Sequence, residues 1–170
     1  MKKLFFLISI CLFLLYINNV QGALKTGNPA PNFYLTGHDG KTYSLNQFKS
    51  KVILIEFLST KCFACDMVIP DINQIHEKFS NEKLMVIGIL FNDEVEEINK
   101  LKEFSNNKMI KYPLFIVDVK IKKLYNVYGF PNFVILDEKK QIRQIYRGIT
   151  KDTFSLLNKE IEKILSKGGK

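Results

Sequence analysis

The sequence predicts a three-layer α/β domain, a central mixed β-sheet flanked by helices, with an N-terminal β-hairpin extension. Three observations carry this expectation. Val52 to Leu58 and Leu84 to Phe91 are nearly continuous apolar runs, suited to strands buried on both faces. Segments with apolar residues at three- and four-residue spacing follow them, the pattern of helices with one buried face. Late in the chain, Phe133 to Leu136 and Ile142 to Tyr146 flank an Asp137–Lys140 turn and read as a strand pair. Strands alternating with helices and ending in a hairpin fit a three-layer arrangement.

The N-terminus reads as a separate object. Met1-Lys2-Lys3 is basic, and Leu4 to Ile17 is an almost purely apolar run of 14 residues. Val20-Gln21-Gly22 then offers the small-residue pattern of a signal-peptidase site. A membrane span needs roughly 20 apolar residues, so the run is short for one. Residues 1–22 are therefore expected to be a signal peptide cleaved before Ala23, with an uncleaved anchor as the rival. Either reading puts the domain, residues 23–170, outside the cytoplasm, periplasmic or secreted. A lipoprotein is disfavoured, because Cys11 lies inside the apolar run and follows Ile10 where a small residue is wanted.

The remaining elements follow in order. Residues 23–32 are rich in Gly, Pro and Asn and read as a lead-in loop. Phe33-Tyr34-Leu35 and Thr42-Tyr43-Ser44 enclose a Gly37-His38-Asp39-Gly40 turn, a small hairpin. After the first long strand a helix begins at Cys62, with Val68, Ile69, Ile72, Ile75 and Phe79 on one face and Pro70 as a kink. After the second strand Asp93 is placed to cap a helix, with Glu96 three residues on and Val95, Ile98, Leu101 and Phe104 as its inner stripe. Leu114 to Val117 is a short apolar piece, and Val119 to Val127 reads as a short helix. A final helix carries Phe154, Leu157, Ile161 and Ile164.

Charge and cysteine content narrow the function. Without residues 1–22 the chain has 23 basic and 17 acidic side chains, net +6. Its lysines are dispersed, with Lys122-Lys123 and Lys139-Lys140 as the longest runs, and no interleaved aromatic pattern points to nucleic acid. Only Cys62 and Cys65 remain after cleavage, two residues apart, in an oxidising compartment. So small a ring stabilises a fold little compared with a long loop, so the pair is there to react.

Cys62 stands where a buried strand ends and a helix begins. Backbone N–H groups and the helix dipole there favour thiolate over thiol, and Lys61 adds a cation beside it. Cys65, one turn deeper, is spaced to attack the sulfur of Cys62. A nucleophile and a resolving thiol are the minimum for disulfide exchange. Glu56 falls in the middle of an apolar strand, six residues before Cys62. A buried, neutralised carboxyl there is suited to act as proton donor and acceptor. The plainer alternative pairs it with a lysine or turns it to water at a sheet edge.

The segment from Lys51 through Cys62-Phe63-Ala64-Cys65, Pro70, and Tyr128-Gly-Phe-Pro-Asn-Phe-Val-Ile-Leu-Asp137 resemble the extracytoplasmic thioredoxins, closest to the TlpA/ResA-like branch. Thr42 to Lys51 also resembles that branch's lead-in, and the likeness spans roughly residues 25–165. The resemblance implies a thioredoxin fold, with Cys62 attacking and Cys65 resolving. It makes Pro131 a cis-proline facing the pair and, with Phe130, part of the substrate-docking strand. Read alone, Pro131 is an ordinary proline at the start of a strand. The resemblance implies a thiol–disulfide oxidoreductase acting on exported proteins, a reductase of the cytochrome c maturation type fed by a membrane thiol donor. A dithiol oxidase or isomerase is the alternative. A monomer is expected, with no cofactor and no metal.

Three positions depart from the family pattern. Lys61 replaces a Trp before the first cysteine and is read as tuning the redox pair. Val68 replaces an acid three residues after the second, and Phe130 replaces Thr or Val before the proline. His38 and His76 read as surface or packing residues, Asp66 and Asp71 as solvated helix residues, and Tyr125, Tyr128 and Phe133 as core, with a place bordering the cis-proline side as the alternative. A peroxiredoxin has the same fold but needs Pro seven residues before its reactive cysteine, where Ile55 stands; Ser59 meets its other requirement. A copper carrier wants three residues between its cysteines and a distant His. A zinc site needs two more soft ligands, and haem attachment needs His where Asp66 is.

Overall fold

The computed structural model describes residues 24–79, 83–91 and 98–167. The expected signal segment lies outside them, as do Asp93, Val95 and Glu96 of the expected helix cap. The elements are β1 (Tyr34–Gly37), β2 (Thr42–Ser44), β3 (Val52–Ser59), α1 (Phe63–Lys78), β4 (Leu84–Phe91), α2 (Ile98–Asn107), β5 (Leu114–Ile116), α3 (Lys120–Leu124), β6 (Asn132–Asp137), β7 (Ile142–Arg147) and α4 (Thr153–Lys167).

Seven strands form one mixed sheet in the order β2-β1-β5-β4-β3-β6-β7. β3 runs parallel to β4 and β4 parallel to β5, while the other pairings are antiparallel. The apolar runs are explained by place: β3 and β4 have neighbours on both sides and core on both faces. Val52, Leu54 and Leu58 share one core with Ile72 of α1 and Leu157 and Ile161 of α4. Ile53, Ile55 and Phe57 share the other with Phe33, Leu45, Ile121 and Tyr125. This is the three-layer arrangement expected from the sequence.

The N-terminal hairpin joins the same sheet. Thr36 and Gly37 of β1 register with Ile116 and Phe115 of β5, so the hairpin covers an edge that would otherwise expose unpaired backbone groups. Ahead of it, the lead-in is strapped to the opposite edge. Gly27 N–H donates to the Ile142 carbonyl at 2.7 Å, Ile142 N–H to Asn28 at 2.9 Å, and Ala30 N–H to Lys140 at 2.8 Å.

Pro70 falls inside α1, as expected, and is exposed. Other details differ from expectation. α3 is shorter than 119–127, because Asn126 takes φ 51°, a left-handed conformation that ends a helix. Tyr128 is 88% exposed and is not a core residue, whereas Tyr125 and Phe133 are buried. The Tyr125 hydroxyl donates to the Pro31 carbonyl at 2.6 Å, satisfying the polar end of a buried ring. Asp66 is not simply solvated: it pairs with Lys108 at 2.7 Å across to the loop after α2, a half-exposed contact worth at most about 1 kcal/mol.

Candidate active site

The strands set out one end of the sheet as a site. β3 and β4 run parallel and finish at Ser59 and Phe91; antiparallel β6 starts there at Asn132, opposite Phe57. The carboxyl ends of parallel strands are where open α/β sheets place their reactive groups. Ser59 leads through Thr60 and Lys61 into Cys62, which caps α1.

Cys62 and Cys65 are joined as a disulfide, with Cα atoms 5.2 Å apart. The backbone N–H of Cys65 donates to Cys62 Sγ at 3.1 Å, so a helix-terminus donor already points at the outer sulfur. Cys62 is partly exposed and Cys65 fully buried. Lys61 is exposed on the turn before the helix, its backbone N–H reaching Ser59 Oγ at 3.4 Å. Phe63 and Met67 are 78% and 58% exposed on the first two turns of α1, an apolar surface beside the disulfide.

Glu56 is wholly buried on the sheet face that carries Val52, Leu54 and Leu58, the same core that holds Cys65. Neither plain alternative holds for it. It is not at a sheet edge, since β4 and β6 flank it, and its polar partner is the Tyr112 hydroxyl, which donates to Oε2 at 2.5 Å. Burial pushes the carboxyl up to about 7, against the opposing pull of the Tyr112 hydrogen bond. A group ionising there is suited to take and return protons at neutral pH.

The Phe130–Pro131 bond is cis. The Pro131 carbonyl accepts from Gly148 N–H at 2.8 Å, and proline has no N–H to give. The Phe130 ring packs on Phe91 with centroids 5.6 Å apart, and the Lys122 ammonium lies 5.1 Å from the Phe91 ring centre and 5.3 Å from that of Phe130. Asn132 Nδ2 donates to the Gly129 carbonyl, bracing the same loop.

The sequence matches the AhpC/TSA family over residues 26–145, most of the chain. The chain belongs to the AhpC/TSA family. Among relatives, this family member is 28% identical over 142 residues to the thioredoxin-like protein YneN of Bacillus subtilis, covering 84% of this chain and 79% of that one. It is 29% identical over 133 residues to the thiol-disulfide oxidoreductase ResA of Bacillus anthracis, covering 76% and 74%. A solved structure from Chlorobium tepidum, assigned as the thiol:disulfide interchange protein DsbE, superposes with a TM-score of 0.74 at 21% identity, covering 84% of this chain and 99% of that one. That likeness speaks to the fold, which is thioredoxin-like, and the ResA-like resemblance read from the sequence is borne out.

Two residues of this AhpC/TSA member's site escape a reading of the sequence. Lys122 belongs there to a solvated run, yet it lies against Phe91 and Phe130. Tyr112 carries no mark of its own, and its usable signal is indirect: Gly88 sits inside an otherwise bulky buried strand, which marks a close approach by something else. His76 and His38 do not join the cysteines; His76 meets Tyr112 edge-on at 6.5 Å, and His38 is exposed in the hairpin turn. Among the described residues no helix is long and apolar enough to cross a membrane.

Proposed function

We propose that this protein is a thiol–disulfide oxidoreductase that works through Cys62 and Cys65 on exported proteins. One observation carries the reading: a bridged pair at a strand-to-helix junction, with the outer sulfur accepting an N–H and partly exposed and the inner one buried. The names of the relatives YneN and ResA support it.

In the reducing direction, the Cys62 thiolate attacks a substrate disulfide. An S–S bond forms between Cys62 and one substrate sulfur, and the other leaves as thiolate. Cys65 gives its proton to Glu56 and attacks Cys62, the mixed disulfide breaks, and the substrate departs with two added electrons. The protein is left with the Cys62–Cys65 disulfide. Phe130 and Pro131 form the docking edge for the substrate chain, and Lys61 favours the Cys62 thiolate. We infer from the TlpA/ResA-like resemblance of the sequence a reductase of the cytochrome c maturation type, recharged by a membrane thiol donor, in an extracytoplasmic setting. The AhpC/TSA match does not by itself select peroxidase chemistry, since Ile55 occupies the position where that chemistry needs Pro.

Cys65→Ser expressed in the native compartment tests the reading. A serine cannot release the mixed disulfide, so partners should accumulate covalently on Cys62. Trapped apocytochromes would support the maturation reading, and a broad set of secreted proteins an oxidase or isomerase. A wild-type reduction potential near about −270 mV would fit a reductant and one near about −120 mV an oxidant. If Cys65→Ser captures no partner, and Cys62→Ser behaves the same, thiol exchange is not the function.

A further inference from the structure

The buried carboxyl of Glu56 has two oxygens in unequal circumstances. Oε2 accepts from the Tyr112 hydroxyl at 2.5 Å, while Oε1 is buried without a hydrogen-bond partner among the described residues. Tyr112 is itself only 3% exposed and comes from the segment just before β5, two strands away from Glu56 in the sheet. It reaches Glu56 because the strand between them has no side chain in the way. Gly88 of β4 stands directly opposite Glu56, and a Cβ there would run into Leu114 Cδ2 and lie 3.0 Å from Tyr112 Cε2.

Burial is the larger influence on the carboxyl, and among the described residues Tyr112 is the one polar side chain that opposes it. The elements around Glu56 present Gly88 from β4, Phe133 from β6, and apolar Leu157 and Ile161 from α4 to the shared core. From α1 the titratable groups are Cys65, in that core, Cys62 at its border, and His76, which meets the Tyr112 ring rather than Glu56. Among the described residues no lysine or arginine acts on the carboxyl, and Tyr112 is its one hydrogen-bonding influence.

We propose that Tyr112 is a positioning residue for the redox pair: by occupying Oε2 of Glu56 it fixes the carboxylate and leaves Oε1 as the oxygen that exchanges a proton with Cys65. This rests on the reading of Glu56 as the proton acceptor. In resolution, the S–H bond of Cys65 breaks and its proton goes to Oε1. The Cys65 sulfur uses the freed electron pair to attack Cys62, and the substrate sulfur leaves as thiolate. Glu56 then holds the proton as a neutral acid and returns it to water before the next cycle, or to Cys65 when the disulfide is reduced. Without the Tyr112 donor the carboxylate stands buried and unassisted, which disfavours its charged form.

The reduced protein with one equivalent of 5,5′-dithiobis(2-nitrobenzoate) reads the two steps separately. Attack by Cys62 releases one thionitrobenzoate and attack by Cys65 releases the second, both visible in stopped flow. Tyr112→Phe should leave the first phase unchanged and move the midpoint of the second-phase pH profile up by about one pH unit, a tenfold change in the ionisation equilibrium. Glu56→Gln should slow the second phase and remove that midpoint, and Tyr112→Phe added to it should change nothing more. 3,5-Difluorotyrosine placed at 112 keeps the ring in place but donates more strongly, so it should move the midpoint down even if the phenylalanine variant folds poorly. An unmoved midpoint in the difluorotyrosine protein, or equal slowing of both phases in Tyr112→Phe, would overturn the role of Tyr112 while Glu56→Gln still showed its effect. A second phase unaltered by Glu56→Gln would instead overturn the reading of Glu56.

Discussion

Gly88 and Glu56 stand opposite each other on adjacent parallel strands, and the missing side chain of the first lets Tyr112 reach the second. The expected consequence of Gly88→Ala is a clash with Leu114 and Tyr112 in a packed core. Overpacking of this kind costs about 1–3 kcal/mol, so urea unfolding should show a loss of that size. A variant as stable as wild type would mean that the Tyr112 ring moves aside freely.

Glu56 should also imprint a pH dependence on stability. Its carboxyl ionises at about 7 in the fold against 4.5 ordinarily, so between those values the native state holds the extra proton. The contribution is therefore full below about 4.5 and is lost as pH rises through about 7. The loss comes to roughly 3 kcal/mol, since each tenfold change in the ionisation equilibrium is worth about 1.4 kcal/mol. Denaturant unfolding of the oxidised protein at pH 5 and pH 8 checks this. Glu56→Gln should flatten the slope and be the more stable protein at pH 8.

Cys62 should be the thiol that reacts. Its sulfur accepts the Cys65 N–H at the start of α1, a setting that favours thiolate once the bridge is reduced. Iodoacetamide should label Cys62 ahead of Cys65, with a midpoint below about 8.5, the value of a free thiol. Preferential labelling of Cys65 would reverse the assignment.

Phe130 should matter for protein substrates and not for small disulfides. Its ring is held by Phe91 and Lys122 at the edge of the redox end. Phe130→Ala should lower kcat/KM with a protein disulfide about tenfold, as the loss of an aromatic anchor does, while a small-molecule disulfide reacts as before. Equal losses for both would place the effect on the cysteines themselves.

The parts of this protein that local pattern determines are readable from the chain. Val52 to Leu58 and Leu84 to Phe91 are strands because a doubly covered position suits so nearly continuous an apolar run, and the helix after Cys62 is legible because the apolar spacing changes there. Glu56 stands out for the same reason, as a carboxyl interrupting such a run. What pattern does not supply is the partner. Tyr112 lies 56 positions away in sequence, and nothing near it refers to Glu56. Lys122 likewise belongs to an ordinary-looking Lys-Lys pair until α3 carries it to Phe91 and Phe130. Tyr128 departs from the expected core because the turn at Asn126 delivers its aromatic side chain to solvent.

The strap formed by residues 27–30 has a mechanical consequence. Tension on the N-terminus enters the fold at Lys140 and Ile142, the end of the sheet remote from Cys62. Gly27, Asn28 and Ala30 would then let go in succession, as a zipper opens, before load reached β1 or the core strands. A chain held by its first residues could thus lengthen by a few residues under pull while the disulfide end stayed intact.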